Sequence, residues 1–226
     1  MKTKALRAAF PYTLPVMLGY LFLGAAFGIL LSENGFAPGW AFLMSVFIYA
    51  GSMQFAAIGL MTGPFAPISA LLLTLMVNAR HLFYGLSMLE PFRRMGKRKP
   101  YMIFSLTDET YSLLCSVQPP EGVDKSWFLF FISLLDQLYW IIGSCIGAFA
   151  KGLLPFDSTG IDFSMTALFL VIFVEQWEKA KSKLPALLGL GITAICLLVF
   201  GSENFLIFSM AGILISLLLF KKEVRL

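Results

Sequence analysis

The chain has 226 residues, of which 58% are hydrophobic and only 13% are charged. Its mean hydropathy is +0.82, and long apolar runs recur over its whole length. These values exclude an ordinary soluble domain and predict an all-α integral membrane protein, with one transmembrane domain over residues 1–226. The net charge of +4 comes from basic residues in the connecting segments and at the chain ends. That distribution is typical of membrane topology, and we expect no nucleic-acid partner.

Eight apolar segments follow one another along the chain. In order they are Pro11–Leu31, Trp40–Met61, Phe65–Leu89, Tyr101–Val117, Trp127–Ala150, Phe163–Gln176, Leu184–Phe200 and Phe205–Phe220. Three helix faces carry small residues at helical spacing and are expected to pack against other helices. These faces are Tyr20, Gly24 and Gly28; Asp136, Trp140, Gly143 and Gly147; and Ser209, Gly212 and Ser216.

Two of the apolar segments have polar interruptions. Trp40–Met61 is interrupted at Tyr49–Gln54, and each flank is about ten residues, or roughly 15 Å of helix, which is half of a ~30 Å hydrocarbon core. This pattern predicts two half-helices that meet near the midplane, with Gly51 supplying the turn and Ser52 capping the second half. The alternative is an unbroken span with one polar face. Tyr101–Val117 is interrupted by a polar stretch from residue 107 to residue 110.

The basic segments constrain the topology because basic loops of membrane proteins lie on the cytoplasmic side. The segment Pro91–Pro100 has five basic residues, and it would lie outside if all eight apolar segments crossed. If Trp40–Met61 re-enters from outside and Tyr101–Val117 re-enters from inside, six crossings satisfy every basic segment and leave both termini cytoplasmic. The other basic sites are the N-terminus, Lys179, Lys181 and Lys183, and the C-terminus. Opposed broken segments suggest an inverted repeat of the secondary-transporter kind.

The central helix contains a cationic residue, Arg80, well inside the predicted span. An Arg at that depth costs about 2.5–3.5 kcal/mol on insertion scales and requires a partner or water. Asn78 and His81 fall on one side of the helix and Arg80 on another, so we expect this helix to be enclosed by protein or to open onto a wet cavity. The functional interpretation is a substrate or ion pathway, and the structural alternative is an Arg–carboxylate pair that joins two helices.

The polar residues of the apolar segments suit a small zwitterion. A half-helix N-terminus offers N–H groups and a positive dipole end to a carboxylate, and a buried carboxylate accepts an ammonium group or carries a proton. The substrate-binding candidates are Gly51, Ser52, Gln54, Asn78, Arg80 and His81, and the proton-coupling or ammonium-binding candidates are Asp108, Glu109 and Asp136. Apolar residues such as Phe55 and Phe83 would line a side-chain pocket.

The same residues allow structural alternatives. Asp108 and Glu109 would cap the start of a helix, and Asp136 would pair with Arg80. A catalytic dyad of Asp108 and Asp136 has no other support in the sequence. The chain has no phosphate-binding loop and no metal-ligand spacing, so we expect neither a cofactor nor a metal, and no enzymatic activity.

Four sequence blocks resemble the AzlC family, the large subunits of bacterial branched-chain amino-acid exporters that include the YgaZ and BrnF types. The blocks are A-G-S-M-Q-F (Ala50–Phe55), N-A-R-H-L-F-Y-G-L-S (Asn78–Ser87), T-D-E-T-Y (Thr107–Tyr111) and G-I-D-F-S-M-T-A-L-F (Gly160–Phe169). The resemblance covers nearly the whole chain. It implies export of leucine, isoleucine, valine and often methionine across the cytoplasmic membrane, together with a small AzlD-type membrane subunit and coupling to the proton gradient. The alternatives are an intramembrane enzyme and a structural or assembly subunit.

Overall fold

A computed structural model describes residues 2–153, 160, 163, 166–167, 170, 173–174, 177–178 and 182–219. The part of the chain that it describes contains helices and no strand. The α-helices are α1 (Lys2–Glu33), α2 (Pro38–Phe47), α3 (Gly51–Thr62), α4 (Pro67–Ser87), α5 (Lys99–Phe104), α6 (Asp108–Ser116), α7 (Lys125–Leu153) and α8 (Leu184–Leu219). Two short 3-10 turns, Pro91–Arg94 and Gly96–Arg98, occupy the basic segment between α4 and α5.

Three of the described helices are long and apolar enough to cross a membrane: Lys2–Glu33, Lys125–Ala150 and Leu184–Gly201. The all-helical content and these apolar helices fit a membrane protein. The chain divides into two compact units, residues 1–165 and residues 166–226, which are described separately below.

Helices α1 and α7 form the centre of the first unit and run parallel to each other. Gly24 lies against Ser144, whose backbone N would be only 2.9 Å from a Cβ at that glycine. Further along both helices, the Ser32 Oγ donates a hydrogen bond to the Ala148 carbonyl oxygen at 3.1 Å. Gly143 in turn approaches the Tyr20 carbonyl oxygen, 2.7 Å from its would-be Cβ. The two predicted small-residue faces therefore pack against each other, because only glycine lets the two backbones come this close.

Helix α2 runs from the C-terminal end of α7 towards its middle. Phe42 lines a surface groove with Cys145, whereas the carbonyl oxygen of Val46 accepts a hydrogen bond from the Gln137 amide at 3.2 Å. The chain then breaks at Tyr49, which is buried and has φ of +44°, a conformation unusual for a bulky residue. The predicted interruption of this apolar segment is confirmed.

Helix α3 returns towards the end from which α2 came. It begins beside Trp140, and its Phe55 ring packs on the Phe27 ring of α1 with centroids 5.6 Å apart. The Gln54 amide donates across the turn to the Ser45 hydroxyl of α2 at 3.3 Å. Helices α2 and α3 thus form a hairpin that packs against the C-terminal halves of α1 and α7.

Helices α5 and α6 form a second pair, which packs against the N-terminal ends of α1 and α7. Met102, Leu106 and Leu114 belong to a second buried cluster with Phe128 at the start of α7 and Ala9 near the start of α1. The first turn of α6 lies beside the middle of α7, where Thr110 contacts Asp136. The helix then runs back towards the second cluster, which includes Leu114. The interruption predicted in Tyr101–Val117 is confirmed, with the break at residues 105–107.

The basic segment lies at the same end of the unit as the N-terminus. The Lys2 ammonium is 4.7 Å from the centroid of the Trp127 ring, and the Arg98 guanidinium carbon is 4.0 Å from the centroid of that ring. Two cations from distant parts of the chain therefore share one aromatic ring at the start of α7.

The predicted roles of Gly51 and Ser52 at the first break are wrong in detail. The turn conformation falls on Tyr49, and the N-cap of α3 is Ala50, which makes no side-chain cap bond. Gly51 is required for another reason: a Cβ there would lie 3.0 Å from the Trp140 ring. Ser52 lies inside the helix, where its hydroxyl is available to another partner.

The second unit contains α8, which has a single non-helical residue, Gly201, at φ 71° and ψ 174°. Phe200 and Phe208 stack across this break with centroids 4.0 Å apart, and Gly212 lies against Ile192. Helix α8 therefore folds back on itself at Gly201, between the seventh and eighth predicted apolar segments. Predictions on Lys179, Lys181, the C-terminal basic residues and most of Phe163–Gln176 lie outside the described residues.

Candidate functional site

The centre of the first unit contains an ion pair between α4 and α6. The Arg80 Nη1 atom lies 2.5 Å from the Asp108 Oδ2 atom, and the two side chains are 30% and 19% exposed. The Arg80 Nη2 atom also donates a hydrogen bond to the Ser52 hydroxyl. One guanidinium thus joins the first turns of both helices that follow a break, α3 and α6, and it remains accessible from one side.

Asp108 owes its position to the start of α6. Thr107 is the N-cap, and its hydroxyl accepts a hydrogen bond from the Thr110 backbone N–H at 3.2 Å. Asp108 and Glu109 fall in the first turn, where a negative charge is favoured by the helix dipole. The expected position of the two carboxylates at the start of a helix is confirmed, although the N-cap is Thr107, and Asp108 is in addition paired with Arg80.

The alternative pairing of Asp136 with Arg80 is wrong. Asp136 is completely buried, and its Oδ2 atom accepts a hydrogen bond from the Thr110 hydroxyl at 2.8 Å. Arg80 pairs with Asp108 instead, because the backward turn of α6 places Thr110 between α7 and the ion pair. The two aspartates therefore have different partners: Asp108 pairs with the Arg80 cation, and Asp136 accepts a hydrogen bond from the Thr110 hydroxyl.

Glu109 contacts α1 rather than α4. Its Oε2 atom accepts a hydrogen bond from the Tyr20 hydroxyl at 2.8 Å. The same hydroxyl lies 2.6 Å from the Thr107 hydroxyl, which donates to Thr110 at 3.0 Å. The sequence did not single out Tyr20, Thr107 or Thr110 as site residues, although both threonines flank the predicted acidic pair in one T-D-E-T stretch.

Gln54 is fully buried and both ends of its amide are used. Its Nε2 atom donates to Ser45, and its Oε1 atom accepts from the Trp140 indole N–H at 2.9 Å. These bonds tie the two arms of the α2–α3 hairpin to α7. Gln54 thus fixes the position of the first turn of α3, on which Ser52 lies.

Asn78 and His81 lie on α4 beside Arg80, and both are half-buried. The His81 ring is 3.2 Å from the Asn78 carbonyl oxygen, and it makes an edge contact with the Tyr84 ring at 5.7 Å. The Asn78 Oδ1 atom is buried with no hydrogen-bond partner among the described residues. An amide oxygen in that state is suited to accept a hydrogen bond from a bound ligand.

Helix α4 is not enclosed on all sides by the described residues. Phe83 is 65% exposed and Leu82 is 72% exposed, so Phe83 is not enclosed among the described residues. Phe55, in contrast, is buried and packs on the Phe27 ring. The polar requirement of Arg80 is met on one side of α4, which leaves the apolar side free to face lipid or another chain. Among the described residues, no group of three His, Cys, Asp or Glu side chains could hold a metal ion.

Comparison with known proteins identifies relatives of this chain. The model of the AzlC protein family matches residues 15–154. The branched-chain amino acid transport protein AzlC of Bacillus subtilis is 49% identical over 221 residues, which are 98% of this chain and 87% of the relative. An uncharacterized membrane protein of Helicobacter pylori is 42% identical over 222 residues, covering 98% of this chain and 97% of the relative.

A more distant relative is the inner membrane protein YgaZ of Escherichia coli, 28% identical over 178 residues, which are 75% of this chain and 72% of the relative. No solved structure matches the chain significantly.

Proposed function

The chain belongs to the AzlC family of membrane transport proteins, and we propose that it is a secondary transporter subunit that exports branched-chain amino acids across the cytoplasmic membrane. The substrates are leucine, isoleucine and valine, with methionine as a further candidate. The observation that carries the proposal is the meeting of Arg80, Ser52 and Asp108, which brings a cation, a hydroxyl and a carboxylate together at the first turns of two broken segments.

The substrate inserts between Arg80 and Asp108. The α-carboxylate binds the Arg80 guanidinium and the N-terminal turn of α3 at Gly51 and Ser52, and the ammonium group binds Asp108. One internal ion pair is thereby replaced by two ion pairs to the ligand, so neither charge of the zwitterion is buried alone. This exchange is favourable for an amino acid and is denied to a molecule that has only one of the two charges.

The neighbouring polar side chains support this binding mode. The Asn78 amide oxygen accepts a hydrogen bond from the ammonium group, and His81 stays beside it on α4. Gln54 acts as a positioning residue, since both ends of its amide are already used. Glu109 and Asp136 take the coupling proton, because neither is paired with a cation in the contacts described above.

The topology of this proposal has six crossings and two re-entrant hairpins in one transport domain. Its support is the return of α3 to the end from which α2 came, and the position of Arg98 beside Lys2 on one Trp127 ring. Both termini and the basic segment Pro91–Pro100 then face the cytoplasm, in agreement with the bias of basic residues. The two opposed hairpins form an inverted pair around Arg80.

A small AzlD-type membrane subunit is the proposed partner. The apolar outer side of α4, which includes the exposed Leu82 and Phe83, offers it a surface within the bilayer. A purely structural role for this chain is the second candidate, and an intramembrane enzyme is the third. Charged and polar groups gathered inside this chain speak against a passive role.

The experiment is counterflow of radiolabelled leucine in proteoliposomes that contain this chain with and without its small partner. Labelled leucine should accumulate against unlabelled leucine and be recovered unchanged. Chemical conversion of the leucine would favour an enzyme. Counterflow by the partner alone would favour the structural role.

A further inference from the structure

A continuous line of oxygen atoms joins Glu109 to Asp136 through three hydroxyl groups. The Glu109 Oε2 atom is 2.8 Å from the Tyr20 hydroxyl oxygen, which is 2.6 Å from that of Thr107. The Thr107 and Thr110 hydroxyls are 3.0 Å apart, and Thr110 is 2.8 Å from the Asp136 Oδ2 atom. Each of these four distances is that of an O–H···O hydrogen bond.

The line has four contacts and only three hydroxyl protons. An ionised carboxylate accepts hydrogen bonds but donates none, and each hydroxyl donates one. If both carboxyls were ionised, one of the four contacts would bring two oxygen atoms within 3.0 Å of each other with no hydrogen between them. A fourth proton on one of the carboxyl groups removes this deficit and completes all four hydrogen bonds.

The second oxygen of Asp136 independently indicates a proton there. The residue is 0% exposed, and its Oδ1 atom has no hydrogen-bond partner among the described residues. A carboxylate buried with an unpartnered oxygen is strongly disfavoured relative to the neutral acid. The other titratable groups that face the two carboxyls are Asp108, Arg80 and Tyr84 near Glu109, Tyr101 near Asp136, and Tyr49 near both.

We infer that Glu109 and Asp136 share a single proton, which passes between them along the hydroxyls of Tyr20, Thr107 and Thr110. With the proton on Glu109, each group donates towards Asp136. In the transfer, the Glu109 O–H bond breaks as its proton moves to the Tyr20 oxygen, and each hydroxyl passes its own proton to the next oxygen. The last proton bonds to the Asp136 Oδ2 atom. Glu109 becomes a carboxylate, Asp136 becomes an acid, and all the hydrogen bonds are reversed in direction.

The inference rests on the proposed transport function for its role and specifies how the coupling proton is held. Glu109 is half-buried next to the ion pair of Arg80 and Asp108, whereas Asp136 is fully enclosed. Carboxylates of this kind form proton relays in many transporters. The relay moves a charge between the substrate site and the interior of α7 without moving the backbone.

The test is infrared spectroscopy of the purified full-length protein near neutral pH, which detects the carbonyl band of a protonated carboxyl group. We compare wild type with Glu109→Gln and Asp136→Asn. Each amide both donates and accepts, so it completes the line whichever way the hydrogen bonds run. A shared proton should give wild type a band from each acid, and each variant should lack the band of the residue that it replaces. The control Glu121→Gln removes an exposed carboxylate and should leave both bands unchanged.

Tyr20→Phe provides a third variant that keeps the buried ring. Without the Tyr20 hydroxyl, the line from Glu109 is interrupted, so the relative intensities of the two bands should change. A wild-type spectrum with the band of only one of the two acids would assign the proton to that residue and overturn the relay. Two bands that Tyr20→Phe leaves unchanged would also overturn it.

Transport measurements separate this inference from the proposed function. In proteoliposomes with the small partner, Tyr20→Phe should lose leucine accumulation driven by a proton gradient while it retains leucine counterflow. If no variant or wild type moves leucine, but wild type shows the bands of both acids and Tyr20→Phe changes them, proton sharing stands and the proposed substrate is wrong. If Tyr20→Phe retains gradient-driven accumulation, the relay does not carry the coupling proton.

Discussion

Arg80 of α4 is paired with Asp108 of α6, with 2.5 Å between the Nη1 and Oδ2 atoms. The two residues belong to sequence blocks that are separated by the whole basic segment. Their pairing places the cation of one helix at the first turn of a helix that follows a break. It also means that neither charge lies alone in an apolar surrounding.

Replacement of Arg80 by alanine should abolish leucine counterflow while the protein remains in the membrane. The variant removes the proposed carboxylate partner and leaves Asp108 without this cation. The double variant Arg80→Ala/Asp108→Ala should reach at least the protein level of the single variant and should also fail to transport. Arg93→Ala is the control, because Arg93 is in a largely exposed pair, which contributes only about 0–1 kcal/mol. Normal counterflow by Arg80→Ala would remove Arg80 from the binding site.

The topology can be tested with single cysteines at three exposed positions in a background free of Cys115, Cys145 and Cys196. Six crossings predict that an impermeant maleimide added to intact cells labels Ala37→Cys and Ala66→Cys but not Lys97→Cys. Eight full crossings predict labelling at positions 37 and 97 and protection at 66. Positions 66 and 97 therefore give opposite results in the two topologies, whereas position 37 is labelled in both. Labelling after membrane disruption controls for intrinsic reactivity.

The contact between α1 and α7 should be sensitive to a single methyl group. A Cβ at Gly28 would overlap the Ser144 carbonyl oxygen and lie 2.5 Å from the Ala148 backbone N. We expect Gly28→Ala to destabilise the protein by about 1–3 kcal/mol, as overpacking of a tight contact does. Gly19→Ala on the same helix is the matched control, because nothing lies within 4 Å of its would-be Cβ. Thermal unfolding in detergent measures both, and equal melting temperatures would contradict the close packing.

The substrate range should be broad for apolar side chains and should depend on both charges of the amino acid. An apolar pocket distinguishes neighbouring side chains by only about 1–3 kcal/mol per methylene. Unlabelled leucine, isoleucine, valine and methionine should therefore compete with labelled leucine in counterflow. Serine, lysine and glutamate should not compete, since their polar groups would lose hydrogen bonds to water.

Leucine methyl ester tests the carboxylate site directly. It retains the side chain and the ammonium group but has no carboxylate to bind Arg80 and the first turn of α3. We expect it to fail as a competitor in the same assay. Competition equal to that of leucine would show that no carboxylate site exists at Ser52 and Arg80.

The sequence alone determined the membrane class, the small-residue faces of α1 and α7, and the two interrupted segments. These features are local, because hydropathy and helical spacing depend on residues close together in the chain. It also placed Arg80, Asp108 and Asp136 among apolar residues, where each requires a partner. It misassigned the turn at the first break, since Gly51 is required by the distant Trp140 ring and the turn falls on Tyr49.

Only the tertiary structure decided which polar groups meet. The sequence left Asp136 as a possible partner for Arg80. In the structure Arg80 pairs with Asp108 at the start of α6, and the Thr110 hydroxyl donates a hydrogen bond to Asp136. Tyr20 looked like one residue of a packing face, and its hydroxyl proves to contact Glu109. Such pairs join side chains that are far apart in the chain, and a hydrogen bond forms only within a few tenths of an ångström of its ideal length. Helical spacing gives the face on which a side chain lies, and the packing of the broken helices against α1 and α7 gives the atom that it contacts.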